Sequence, residues 1–345
     1  METRKIIAIA LLIGSVLSAT FLFYGYQLLK SPNILVGKSE PAYIYISNGD
    51  SFKDLQNQLY DRDIVNDAVA FSFVAKLMKL PASLKPGKYK LEPNMNNRQA
   101  IAIFRSGNQT AVNITFNNLR FLKDLPAKIT DKLEMDSSQL AQALSDTVLM
   151  QKFGFDQANY KSMFIPNTYS VYWDLSPEEL IERMNYEYRQ FWTDQRKAKA
   201  DSLGLSLQEV STLASIVYAE SKKSDEYPRI AGVYYNRLQK RMHLDADPTL
   251  VYAHGDFGIK RVLNKHKEID SPYNTYRNYG LPPGPINMPS ITAIDGVLNL
   301  EQHKYLYFCA SEDFSGYHKF ATNLTDHLNN ARRFQNALNR ARIYK

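Results

Sequence analysis

The longest apolar run lies at the start of the chain. From position 6 to position 29 nearly every residue is apolar, interrupted only by small or weakly polar residues and Gln27. As a helix the run would reach roughly 36 Å, enough to cross a bilayer with some tilt. A cleavable signal peptide would have a shorter apolar core followed by a small-residue cleavage site, and neither is visible. Arg4 and Lys5 precede the run, which predicts a cytoplasmic N-terminus and a single-pass anchor in the cell (inner) membrane. The rest of the chain is then expected on the outer, periplasmic side.

Beyond a Pro- and Gly-bearing linker over 31–40, the pattern becomes that of a small folded unit. Tyr43-Ile-Tyr-Ile46 alternates as a strand, and Ser47-Asn-Gly-Asp50 reads as a turn. Phe52, Leu55 and Leu59 have helical spacing, 69–80 supplies a second helix, and Lys85-Pro-Gly-Lys-Tyr-Lys-Leu91 closes with a turn and a strand. Strand, helix, helix, strand is the order of a LysM-like domain, expected over 41–110; a spacer of similar topology fits the same pattern. A helix over 95–104 and a strand over 111–116 follow. The connecting region, 111–160, has helical spacing over 122–133 and 138–144. Ser176-Pro177-Glu-Glu then opens what reads as one long helix to about position 200, with Pro at its first position and acids in its first turn. The predicted fold class is α+β: an N-terminal transmembrane helix, a small LysM-like α+β domain and a larger mixed α+β domain over 161–345.

The chemistry gathers in that last domain. Ser206-Leu-Gln-Glu209 is a capping box and predicts a helix starting at Leu207. Leu213, Ile216, Val217 and Glu220 then share one face. Glu220 either enters a core or cleft with its apolar neighbours or emerges into water ahead of Ser221-Lys-Lys-Ser224. In the first case desolvation would keep its carboxyl protonated near neutral pH, as a general acid requires. Asn236-Arg237, on a helix expected over 227–241, offers an amide and a guanidinium able to orient sugar hydroxyls, acetamido groups or carboxylates. Asp247-Pro-Thr249 has the form of a helix start capped by Asp247. Asn274, Thr275 and Tyr276 lie in a Pro-flanked loop, and Leu281-Pro-Pro-Gly284-Pro285 is a rigid turn. A final helix is expected over 328–342.

Composition adds little beyond these motifs. The 345 residues are 44% hydrophobic, an ordinary folded composition, with 23 tyrosines and 17 phenylalanines. That aromatic content suits either carbohydrate contacts or a Tyr-rich core. The net charge of +7 favours an anionic partner, but the basic residues are scattered and no nucleic-acid module is present. Cys309, the one cysteine, excludes internal disulfides and cysteine-based metal sites, and reads as a buried residue of a strand over 305–310.

The order of these segments resembles the YceG-like family of endolytic murein transglycosylases. The resemblance rests on Ala214-Ser-Ile-Val-Tyr-Ala-Glu220, Ala231-Gly-Val-Tyr-Tyr-Asn-Arg-Leu238 and Asp247-Pro-Thr-Leu-Val-Tyr252. To these it adds Tyr273-Asn-Thr-Tyr276, Gly280-Leu-Pro-Pro-Gly284 and His318-Lys-Phe-Ala-Thr-Asn323. It implies that Glu220 is catalytic and that Asn236, Asp247, Thr249, Asn274 and Tyr276 bind substrate. It also implies cuts within nascent peptidoglycan glycan strands beside membrane-bound peptidoglycan synthases, leaving 1,6-anhydro-MurNAc ends, with no metal and no cofactor. Asp245 departs from the family pattern, where a neutral polar residue is common, and is left unassigned. A muramidase in which Asp245 or Asp247 positions a water is the rival enzyme, and a non-catalytic glycan-binding envelope protein is the rival of another class.

Overall fold

The computed structural model describes residues 2–36, 40–259 and 261–343, and the chain divides into two compact units. The first comprises 1–114 with the returning segments 132–135 and 170–175; the second takes 115–131, 136–169 and 176–345. Helix α1 spans Glu2–Lys30 and is long and apolar enough to cross a membrane. Its exposed surface carries large aliphatic and aromatic side chains such as Leu11, Leu17 and Phe21.

In the first unit β1 (Ala42–Ile46) and β2 (Gly87–Leu91) pair antiparallel, Ile44 opposite Tyr89, with α2 (Phe52–Asp61) and α3 (Ala68–Leu77) between them. Ser51 and Asp54 form a reciprocal capping box that starts α2. Helix α4 (Asn97–Ser106) adds Ile101 and Phe104 to a core built from Ile44, Leu55, Leu59, Phe71, Val74, Tyr89 and Leu91. The Tyr89 hydroxyl donates to the carbonyls of Lys85 and Pro86, so the ring is buried without an orphaned polar group. The strand–helix–helix–strand order is therefore present as expected.

The last turn of α1 belongs to this core. Leu28 and Leu29 pack against it, and the Asn97 Nδ2 donates to the Leu28 carbonyl at 2.9 Å. Asn97 in turn accepts from Asn33, whose own side chain accepts from the Asp67 amide.

The second unit contains most of the helices. Strands β3 (Val112–Phe116) and β4 (Asn167–Val171), a two-stranded pair, each run from the residues of one unit into those of the other, and α8 (Pro177–Phe191) follows within the second unit. The 122–133 stretch, expected to be helical, is a short helix, α5 (Pro126–Ile129), flanked by 3-10 turns, because Pro126 cannot donate within a preceding helix. Helices α6 (Ser137–Leu144) and α7 (Thr147–Lys152) complete that region, each started by an aspartate cap. The single helix expected after Pro177 is two. Helix α8 ends at Phe191, and Thr193 caps the new helix α9 (Asp194–Leu203) by accepting from the Arg196 amide. The Arg196 guanidinium then pairs with both Asp295 oxygens at 2.9 and 3.0 Å, which holds the break against α13 (Ile291–Leu298).

Helix α10 (Leu207–Glu220) is the central element, with Val210, Leu213, Ala214, Ile216 and Val217 buried. It packs against α13 and against α11 (Tyr227–Gln239). A short helix α12 (Asp247–His254), the hairpin of β5 (Tyr307–Ala310) and β6 (His318–Ala321), and α14 (Leu324–Arg340) surround its C-terminal end. Cys309 is half-buried in β5 rather than part of the core.

The docked end of α1 gives a direct test. Chains starting at residue 26 and at residue 31 differ by the turn that carries Leu28 and Leu29. The shorter should be less stable to urea by about 1–3 kcal/mol, the worth of two half-buried leucines and one hydrogen bond. Equal stability would show that the helix ends outside the folded unit.

Candidate active site

The C-terminal end of α10 delivers Glu220 to the junction of two cavities, of about 640 Å³ and about 350 Å³, both lined by Glu220 and Asp247. The apolar face of the helix carries the glutamate inward, and Ser221 ends the helix in extended backbone. The Tyr234 hydroxyl, from α11, donates to the Glu220 carboxylate at 2.5 Å. Burial raises the Glu220 pKa from 4.5 to about 7; the Tyr234 bond opposes the rise and the negative charge of Asp247 adds to it. Tyr234 is itself held far above its usual pKa by burial and by the neighbouring carboxyl, so it stays a donor.

Asp247 opens α12 but does not cap it; the N-cap is Ala246, and no side chain bonds there. Its carboxylate instead accepts from the Tyr276 hydroxyl at 2.5 Å. The capping role read from Asp247-Pro-Thr is thus replaced by a polar contact in the cleft. Tyr276 also lines the larger cavity, and its backbone amide is fixed by the Asn274 side chain.

The other expected contacts are spent on the scaffold. Asn274 is fully buried, its amide donating to the carbonyls of Lys267 and Ile269. Thr249 is also fully buried; it bonds the Ala246 carbonyl and the Thr275 hydroxyl, tying the start of α12 to the 271–276 loop. Asn236 donates to the carbonyls of His303 and Tyr305. Asn236, Thr249 and Asn274 therefore hold the walls, whereas Glu220, Asp247 and Tyr276 face the opening.

Four further residues join the site. Arg237 is buried at the wall of the larger cavity, binds the carbonyls of His243, Leu244 and Leu306, and pairs with Asp245 at 2.9 Å. That ion pair anchors Asp245 in a left-handed conformation (φ 51°), which aspartate tolerates better than most residues. His318 lines the same cavity, with Nδ1 2.8 Å from the buried Glu226 carboxylate. Asn287, in the smaller cavity, donates to the Ser215 carbonyl, and the Ile286 amide donates to the Ser215 hydroxyl. One turn before Glu220, α10 thus grips the loop that follows Gly284. Gly284 itself lies against the 158–159 backbone, where a Cβ would sit 1.9 Å from the Ala158 carbonyl oxygen. The Leu281-Pro-Pro-Gly284 motif signalled a rigid turn, but nothing in the sequence tied it to Ser215. Among the described residues no group of His, Cys, Asp and Glu side chains is arranged to hold a metal.

The YceG-like family model matches residues 44–333. The chain belongs to the YceG-like family. A Bacillus subtilis (strain 168) relative named endolytic murein transglycosylase is 30% identical over 286 residues, which cover 78% of this chain and 79% of the relative. A Streptococcus pneumoniae serotype 2 relative of the same name is 27% identical over 340 residues, covering 89% of this chain but only 61% of its own length. The crystal structure of a YceG-like protein from Listeria monocytogenes superimposes with a TM-score of 0.57 at 26% identity, covering 85% of this chain and 99% of that one. For this YceG-like chain, the family motifs 214–220, 231–238, 247–252 and 273–276 meet around one cleft, while 280–284 and 318–323 supply its supporting turn and hairpin.

The raised Glu220 pKa carries a stability consequence. Between about pH 4.5 and 7 the folded protein binds a proton the unfolded chain has released, so Glu220 costs stability progressively as pH rises through that window. Glu220→Gln should therefore be more stable than wild type above pH 7, by on the order of 3 kcal/mol, and equal to it below pH 4.5. Urea denaturation at both pH values checks this; a pH-independent difference would contradict the shift.

Proposed function

We propose that this chain is a lyase, an endolytic peptidoglycan lytic transglycosylase that cuts the MurNAc–GlcNAc bond within nascent glycan strands and leaves 1,6-anhydro-MurNAc ends. The observation that carries the reading is one desolvated carboxyl, Glu220, at the meeting point of two cavities. A strand can then extend on both sides of the acid, as cutting within a chain demands. The names of the relatives support the same activity.

The proton accounting is simple. Neutral Glu220 protonates the glycosidic oxygen, and the C1–O bond breaks with oxocarbenium character at C1. Glu220, now anionic and stabilised by the Tyr234 hydroxyl, takes the proton of the muramoyl C6 hydroxyl as O6 bonds to C1. No water is consumed, and the acid is regenerated. A pKa of about 7 suits a group that must give and then accept a proton. Asp247 keeps that pKa up and favours positive charge developing at C1, while Tyr276 holds Asp247 in place. Asn236, Thr249 and Asn274 act through the walls they hold.

Muramidase action is the second reading, favoured by one observation: Asp245 and Asp247 line the same cavity as Glu220 and supply carboxylates that could orient a water. The two readings give different products. Digestion of uncrosslinked glycan by the purified full-length chain should yield ends lighter by one water than hydrolytic reducing ends, seen by mass spectrometry. Glu220→Gln should lower turnover by 10²-fold or more, on the scale of a lost general acid. Reducing ends alone would assign hydrolysis, and undiminished cleavage by Glu220→Gln would remove Glu220 from the chemistry.

Helix α1 serves in this reading as a single-pass anchor with its N-terminus in the cytoplasm, working beside membrane-bound peptidoglycan synthases. The packing of Leu28 and Leu29 into the first unit supports an anchor retained in the mature protein. The strand–helix–helix–strand first unit would act as a LysM-like glycan contact.

A further inference from the structure

The two cavities that share Glu220 and Asp247 differ in charge. The larger adds Asp245 to that acidic pair and offers Arg237, whose guanidinium is already engaged with three carbonyls and Asp245. Its two histidines are engaged as well, His318 with the Glu226 carboxylate and His327 stacked on Tyr307, so an anionic substituent finds no free guanidinium or ammonium there. The smaller cavity has Arg120 in its wall. Among the described residues Arg120 makes no ion pair and no side-chain hydrogen bond; its guanidinium carbon lies 4.2 Å from the Phe257 ring centroid, with its donors unspent. Arg120 and Phe257 also line an adjoining groove with Lys123, Asn118 and Asp124. The buried Lys161 ammonium lies 4.7 Å from the ring of Tyr252, a residue of the same cavity wall, and donates to the Pro285 carbonyl.

On the glycan strand the carboxylates belong to the muramoyl ring, which carries the peptide stem on its lactyl ether.

We propose that the smaller cavity is the muramoyl side of the cleavage point, with Arg120, supported by Lys123, binding carboxylates of the peptide stem. The larger, acidic cavity then receives the uncharged N-acetylglucosamine side. Arg120 becomes a specificity determinant that favours strands still carrying their peptides over stripped ones. This assignment rests on the glycan-cleaving function proposed above.

The test compares peptide-bearing, uncrosslinked strands with the same strands stripped by an amidase, using the full-length chain in detergent. The wild type should prefer the peptide-bearing strands in kcat/KM. Arg120→Ala should lower the ratio of the two values roughly tenfold, mainly through KM, and Arg120→Glu further; a tenfold loss corresponds to about 1.4 kcal/mol. Arg120 is a surface side chain, so the variants should fold, and circular dichroism checks that they do. A ratio within about twofold of wild type in both variants overturns the assignment, whether or not overall activity falls. Wild type that cleaves neither substrate overturns the proposed function instead.

Discussion

The site depends on the desolvation of one carboxyl. Ionised, Glu220 would sit in a poor solvent facing the negative Asp247, and only the Tyr234 hydroxyl would offset that. The balance keeps the proton on Glu220 near neutrality while leaving the anion tolerable once it forms. Neither partner alone would do. Without Tyr234 the conjugate base would be too costly to form, and without the surrounding burial the proton would already be gone at pH 7.

The rest of the second unit serves this balance. Helix α10 can aim Glu220 only because its preceding turns are locked in the core, through Leu213, Ile216 and Val217 and through the bonds of Ser215 with the Ile286 amide and the Asn287 side chain. Asp247 lies opposite because Thr249 and Thr275 tie the first turn of α12 to the 271–276 loop. Arg237 fixes the chain on either side of the larger cavity, from His243 to Leu306. These buried polar bonds cost much if broken and leave little freedom in the walls, as acid–base geometry requires.

Much of this was legible in the sequence. The capping box at Ser206 and the apolar spacing up to Glu220 predict the helix, which the structure has; they leave the glutamate between a cleft and open water, and the structure has it at the cleft. The family motifs also mark the segments that meet at the cleft. Side-chain assignments were harder to read. Asn236 and Asn274 are polar residues of motifs that meet at the Glu220 cleft, yet their donors close backbone carbonyls that come from segments distant in sequence or from irregular loops. Asn287 lay outside every motif, and the motif that opens at His318 gave no sign of its pairing with Glu226, because the partners lie 72 and 92 positions away. Long-range pairing also explains the break at Thr193, where a helical pattern yields to a cap and to the Arg196–Asp295 pair.

The protonation state of Glu220 tests the account most directly. Isotope-edited infrared titration, with the protonated-carboxyl band assigned by its loss in Glu220→Gln, should find half-protonation near pH 7. The band should persist at pH 6, where an ordinary glutamate is ionised. A midpoint near 4.5 would mean that the carboxyl is solvated and carries no proton to deliver, and the single acid–base role assigned to it would fail.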